Sequence, residues 1–213
     1  MICNLFEKTY ESVRYLIISV SNDIFPIIFF ELFYLVKNKK FFDEIVMDFY
    51  SKNINSKNSE YVPTLYFVLR TIHKSFLKLN IDISDYNFID FGCGKGRTCF
   101  YFKDKLKNYI GIDINKNFKK YFNYRNTKFI CLDCRKIENL KKHLNSYDKN
   151  ILYFCYPFDE ELISNIINIF SQKKENLLVF VCCNPKIDMS NYKFLYKKYL
   201  GAQDKNIFFL KKI

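Results

Sequence analysis

The sequence predicts an α/β fold: a mostly parallel, twisted sheet with helices on both faces and a C-terminal antiparallel hairpin. Three observations predict it. From residue 87 short apolar runs alternate with helix-compatible segments, and right-handed crossovers turn that alternation into a parallel sheet. Two of the runs, NILYFCY (150–156) and NLLVFVC (176–182), are almost continuously apolar, as strands buried on both faces require. A glycine-rich turn, FGCGKG (91–96), closes the first run and opens the next helix.

Two parts are expected, a helical N-terminal cap over 1–60 and a sheet-bearing domain over 61–213. The first part ends in polar SKNINSKNSE (51–60), a loop. Its apolar stretch YLIISVSNDIFPIIFFELFYLV (15–36) is broken by Asp23, Pro26 and Glu31. No piece therefore reaches the roughly 18 uninterrupted apolar residues of a spanning helix. It reads as two amphipathic helices, with peripheral membrane contact as the alternative. The opening MICNLFEKTYESVR carries both signs of charge and no small-residue cleavage site, so no secretory signal is expected there.

In YVPTLYFVLRTIHKSFLKLN (61–80) a helix starts near Pro63, because Leu65, Val68, Leu69, Ile72, Phe76 and Leu79 recur at helical spacing. Strands follow at 87–91, 109–113 and 127–132, and helices at 95–107, 115–125 and 137–145. DEELISNIINIFSQK (159–173) joins the two apolar strands, with acidic residues in its first turn as a helix N-terminus favours. The tail, KFLYKKYL, GAQDK, NIFFLKK, reads as two strands around a turn.

Composition narrows the function classes. A chain of 213 residues with 49% hydrophobic residues is globular, one domain plus an extension. The net charge of +12 would suit an anionic partner. The lysines are spread along a chain crowded with Lys, Asn, Ile, Phe and Tyr, as AT-rich codons produce, and this argues against a nucleic-acid partner. Of eight cysteines, Cys155, Cys182 and Cys183 lie inside apolar runs. Buried thiols suit a reducing, cytoplasmic compartment. Cys131 and Cys134 form one CxxC without a second pair, and there are two histidines, so no metal site is expected. His73 and His143 read as packing or surface residues.

The chemistry centres on FIDFGCGKGR (88–97). Gly92, Gly94 and Gly96 follow Asp90 at every second position. Glycines at a strand-to-helix turn let a ligand approach the backbone and leave amides at the helix start. The spacing is neither the dinucleotide GxGxxG nor the P-loop GxxxxGK[ST]. An Asp ahead of the loop suits a ligand with an amine and no pyrophosphate, held directly or through the loop. Asp113 ends the second strand, about 20 residues on, where an acidic residue reaches ribose hydroxyls. Asp133 follows the third strand and can accept from an adenine amino group. Any one of the three could instead cap the next turn; their joint placement at strand ends favours a ligand site.

FIDFGCGKGR, IGIDIN and FICLDC resemble the first three motifs of the class I S-adenosylmethionine-dependent methyltransferases, whose fold is Rossmann-like. The resemblance covers about 61–213. YVPT (61–64) with GKGR (94–97) is similar to a subgroup with a Tyr-x-Pro segment before the glycine loop, which includes Dot1-like protein-lysine methyltransferases. The resemblance implies S-adenosylmethionine as cofactor, with Asp90, Gly92, Gly94 and Gly96 at its methionine end and Asp113 at its ribose. It puts Asp133 and the Cys134 amide at the adenine, and Tyr61 closing over the ligand.

On the acceptor side the sequence departs from the family. In ILYFCYPF (151–158), Tyr156 stands where amine methyltransferases carry Asn or Asp, followed by Pro157 and Phe158. Tyr156 either orients an acceptor or packs; its phenol, with a free pKa near 10, is a poor base. Asn184, before Pro185, either supplies the missing amide beside Tyr156 or makes a turn. The expected activity is methyl transfer to a protein side chain or small metabolite. A non-catalytic cofactor-binding module is the alternative. A nucleic-acid methyltransferase ranks third, since no separate basic RNA-binding domain is visible.

Overall fold

Strand β1 spans Asn87–Phe91, β2 Asn108–Asp113, β3 Thr127–Cys131, β4 Lys149–Cys155, β5 Glu175–Val181, β6 Tyr192–Tyr199 and β7 Asn206–Lys212. They form one sheet in the order β3-β2-β1-β4-β5-β7-β6. The first five are mutually parallel, while β7 runs antiparallel to β5 and pairs antiparallel with β6. This is the Rossmann-like arrangement expected of the sequence. The computed structural model describes residues 64, 66–155, 158–170, 175–181, 190–199 and 206–212. The expected N-terminal cap, Tyr61, Tyr156, Pro157 and Asn184 lie outside the described residues.

Strand parity builds two cores. On β1, Phe88 faces one layer while Ile89 and Phe91 face the other, as a period of two dictates. The first layer is covered by α1 (Tyr66–Lys78) and α2 (Arg97–Phe102), the second by α3 (Ile137–Leu144) and α4 (Glu160–Ile169). Phe88 sits at the centre of the first, its ring 5.2 Å from Phe102, 5.5 Å from Tyr109 and 5.3 Å from Tyr153. Phe91, Phe154 and Phe180 stack in a row across the second. Each such ring contributes about 1.5–3 kcal/mol by burial. Helix α1 presents Tyr66, Leu69, Ile72 and Phe76 inward, all fully buried.

Asparagines set the register at the opposite edge from the glycine loop. Asn87 pairs with Asn108 and Asn150, and Asn150 with Asn176, each in register across neighbouring strands. The Asn108 amide donates to Asn87 Oδ1 at 2.8 Å, and the Asn150 amide to Asn176 Oδ1 at 3.1 Å. A one-residue slip would break these bonds and invert both faces.

Two helices differ from expectation. The segment 95–107 is helical only over Arg97–Phe102, because Gly96 caps it in a left-handed conformation and Lys107 already donates to Tyr86 O on the way into β2. The segment 115–125 is a 3-10 helix over Lys116–Tyr121, ended where Phe122 turns inward and buries its ring. Helix α4 starts as read, with Asp159 Oδ1 accepting from Leu162 N at 2.7 Å. Among the described residues no helix is long and apolar enough to cross a membrane.

Candidate functional site

The chain leaves β1 through a turn in which Gly92, Gly94 and Gly96 have φ of 72°, 53° and 73°. Side chains other than hydrogen rarely tolerate that region. The amides of Gly92 and Cys93 both donate to Ile112 O, at 2.9 and 3.1 Å, tying the turn to the end of β2. The Gly94 amide donates to Asp113 Oδ2 at 3.0 Å, and the Asn115 amide to Asp113 Oδ1 at 2.9 Å. Asp113 therefore clamps the glycine loop to the next strand. The Asn115, Gly94 and Ile114 amides occupy three of its about four acceptor positions, leaving about one. Burial pushes this carboxyl above its ordinary range, opposed by the Asn115 and Gly94 amides.

Phe122 sets how close the loop and strand can come. A Cβ on Gly111 would stand 2.5 Å from its ring and 2.8 Å from Cys93 Sγ; one on Gly96 would stand 3.0 Å from the same ring. A Cβ on Gly92 would lie 3.1 Å from Phe158, a half-buried ring edge-on to Phe154.

Asp90 stands under the loop rather than on it. Its side chain is 2% exposed and accepts from the Tyr109 hydroxyl. Burial pushes its pKa up to about 7; the Tyr109 hydrogen bond lowers it, the Asp113 charge raises it and Thr98 lowers it. Of the two readings left open for Asp90, this geometry suits action through the loop.

Asp133 lies past β3, where its carboxylate holds Arg135 with contacts of 2.7–3.1 Å and also accepts from the Arg135 amide. The Arg135 side chain holds this carboxyl below its ordinary range. Cys134 is buried and its thiol is pushed up to about 12, first by burial and then by the Asp133 charge. Cys131 is exposed and its thiol reaches Ile114 O at 3.5 Å. Among the described residues no group of three His, Cys, Asp or Glu side chains could hold a metal. His73 lies edge-on to Tyr101 and Phe102, as a packing residue does, and His143 is exposed on α3.

The last residue of YVPT reaches the same rim. Thr64 Oγ1 lies 2.9 Å from the Tyr153 hydroxyl and donates to Cys155 Sγ at 3.1 Å, at the end of β4. Arg97, at the foot of the glycine loop, donates to Thr64 O at 3.5 Å and stands over the Tyr66 ring. Gly92, Gly94, Gly96, Asp113, Asp133, Cys134 and Phe158 thus line the carboxyl edge of β1 to β4, where ligands bind in such sheets.

Sequence reasoning missed Tyr109, Thr98, Gly111, Phe122 and Ile114. A glycine inside YIGID was a usable signal, since glycine in a strand marks a close approach. Ile114, 44% exposed just past Asp113, offers an apolar surface at the rim.

Residues 89–158 match the family model described as a methyltransferase domain. The site fits S-adenosylmethionine: amides at a Cβ-free turn, an acceptor at Asp113 and an apolar neighbour in Ile114. The fold is shared with solved structures. A methyltransferase of Anabaena variabilis superposes with a TM-score of 0.51 at 14% identity, over 68% of this chain and 84% of that one. A chain from a fibrillarin/Nop5p complex gives 0.51 at 10% identity, over 75% and 90%. No curated protein sequence matches the chain.

Proposed function

We propose that the chain transfers a methyl group from S-adenosylmethionine to a protein side chain or a small metabolite. The observation that carries the reading is Asp113: at the end of β2 its carboxylate shapes the glycine loop through Gly94 and keeps an acceptor position for a ribose hydroxyl. Gly92, Gly94 and Gly96 hold the methionine end, with Asp90 bracing them from beneath. Ile114 gives the adenine ring an apolar face, and Asp133 and the Cys134 amide meet its edge.

Bound, the cofactor supplies an already activated methyl sulfonium. The protein then has to align the acceptor and exclude water. Phe158 beside Gly92 supports the placing of that pocket at the end of β4, with Tyr156, Pro157 and Asn184 around the methyl group. The contacts of Thr64 on Tyr153 and Cys155 support the kinship with the Tyr-x-Pro subgroup. A closing role for Tyr61 and a cap formed by residues 1–60 belong to the same reading.

Calorimetry with S-adenosylhomocysteine tests the cofactor side. A charge-assisted hydrogen bond contributes about 1.5–3 kcal/mol, so Asp113→Ala should weaken binding roughly ten- to a hundredfold. Unchanged affinity would remove Asp113 from the site. Methyl-labelled cofactor incubated with a cell lysate tests the acceptor side. A labelled protein or metabolite is expected; cofactor binding without any labelled product would make the chain a non-catalytic module. Asn184→Ala should lower turnover and leave cofactor affinity nearly unchanged. Wild-type turnover in that variant and in Tyr156→Phe would withdraw both residues.

A further inference from the structure

Along the sequence the positive charge is spread out, but the fold gathers part of it. From Ile114 to Leu132 there are five basic residues and no acidic one. This stretch forms the 3-10 helix, the turn after it and the edge strand β3. Lys116, Lys119, Lys120 and Arg125 are exposed there. Lys95 of the glycine loop joins them, its Nζ 5.9 Å from the Tyr121 ring that Lys120 approaches to 5.0 Å. Lys103 joins from the end of α2, its Nζ 4.2 Å from the Tyr124 ring. The neighbouring carboxylates are Asp104, 3.8 Å from Lys103, and Asp113, which is held by the Gly94 and Asn115 amides.

We propose that this surface docks a single-stranded polynucleotide beside the cofactor edge. Cations from the glycine loop, the 3-10 helix and the end of α2 meet at Tyr121 and Tyr124, with further exposed cations along the same stretch, as phosphate recognition requires. Half-buried Phe118, Tyr121 and Tyr124 lie among them, and rings between lysines supply stacking platforms for unpaired bases. Asn117, Asn123 and Asn126 are exposed in the same stretch and offer hydrogen bonds to bases and sugars. An anionic membrane fits less well. Membrane-surface binding needs apolar side chains standing clear of the surface. Of the large exposed apolar residues described, Leu77, Ile114 and Phe194, Ile114 alone adjoins this stretch in sequence. The proposal is independent of which acceptor is methylated.

The test is fluorescence anisotropy of the full chain with a labelled single-stranded RNA of mixed sequence, the matching duplex, and phosphatidylserine vesicles, across a salt series. The single strand should bind more tightly than the duplex and independently of cofactor. Replacing Lys116, Lys119 and Lys120 together by Gln removes three phosphate contacts. It should weaken binding about tenfold and lower the log–log salt slope by about 2. The control, Lys193→Gln with Lys197→Gln at the other sheet edge, should change neither. The proposal is overturned by absence of saturable RNA binding at low salt, by vesicle binding without RNA binding, by a preference for duplex, or by equal losses in the two variants.

Discussion

Single residues at this site do two jobs, and Asp90 shows the tension between them. Its position two residues before the glycine turn was legible in the sequence, but the direction of its side chain depends on strand parity. Parity turns it under the loop, onto Tyr109 and Thr98, where it is buried. An ordinary aspartate in the unfolded chain titrates near 4. The folded value is about 7, so between these limits the folded chain keeps a proton that the unfolded chain has released. The resulting stability is full below about pH 4, falls as pH rises, and levels off above about pH 7, a loss on the order of 4 kcal/mol. Asp90→Asn cannot ionise and keeps an oxygen that accepts from the Tyr109 hydroxyl. Thermal melts across this range should show a flatter profile for the variant, and a higher melting temperature than wild type at about pH 8. A variant profile with the wild-type slope would place the titration elsewhere. Asp133 illustrates the converse: its strand-end position was legible, whereas its partner Arg135 was not, since the spacing alone did not say whether the turn folds back on itself.

At the level of elements, the strands were the readable part. Runs such as NFIDF and NILYFC are apolar at nearly every position, and burial on both faces allows little else. The helix expected over 115–125 is a 3-10 helix over Lys116–Tyr121, shortened by one tertiary contact. Phe122 leaves the helical path to fill the space against Gly96 and Gly111, and the 3-10 turn ends there. That contact makes a prediction about the strand glycine. In Gly111→Ala the new methyl would meet a buried ring and the Cys93 sulfur, neither of which has room to withdraw. The cost should be about 1–3 kcal/mol in urea melts, the range for overpacked cores. The displaced ring should also loosen Gly96 and lower affinity for S-adenosylhomocysteine. Adding Phe122→Leu to Gly111→Ala should recover part of the loss, because the smaller side chain frees the space. If Gly111→Ala were as stable as wild type, or the double variant less stable than the sum of its parts, the steric account would fail.

Over the whole molecule, the sequence pointed to a closing hairpin but left its strand order open. The order follows from which partner can be buried. NIFFLKK places Ile207, Phe209 and Leu210 in the core between β5 and β6, while β6 keeps Lys193 and Lys197 exposed at the edge, where charge deters further pairing. The residues proposed for the cofactor stand in short motifs at consecutive strand ends, a pattern that a sequence displays. The acceptor half draws on segments distant in sequence and carries no spacing rule, so it stays at the level of proposal.

The proposed cap over 1–60 belongs to this scale and yields the last prediction. The chain enters the described structure at Thr64, held on Tyr153 and Cys155 at the end of β4 and touched by Arg97 from the glycine loop. The apolar residues of 15–36 need a surface to bury against. A chain starting at residue 61 keeps every strand and helix described above and should still fold and melt cooperatively. It should bind a dye for exposed apolar surface more strongly than the full chain does. Affinity for S-adenosylhomocysteine should fall modestly, because Asp113 and the glycine loop remain, while methyl transfer should be lost, because the acceptor pocket is open to water. Transfer at the full-length rate by a soluble, folded truncated chain would show that residues 1–60 are an accessory element and that the pocket closes without them.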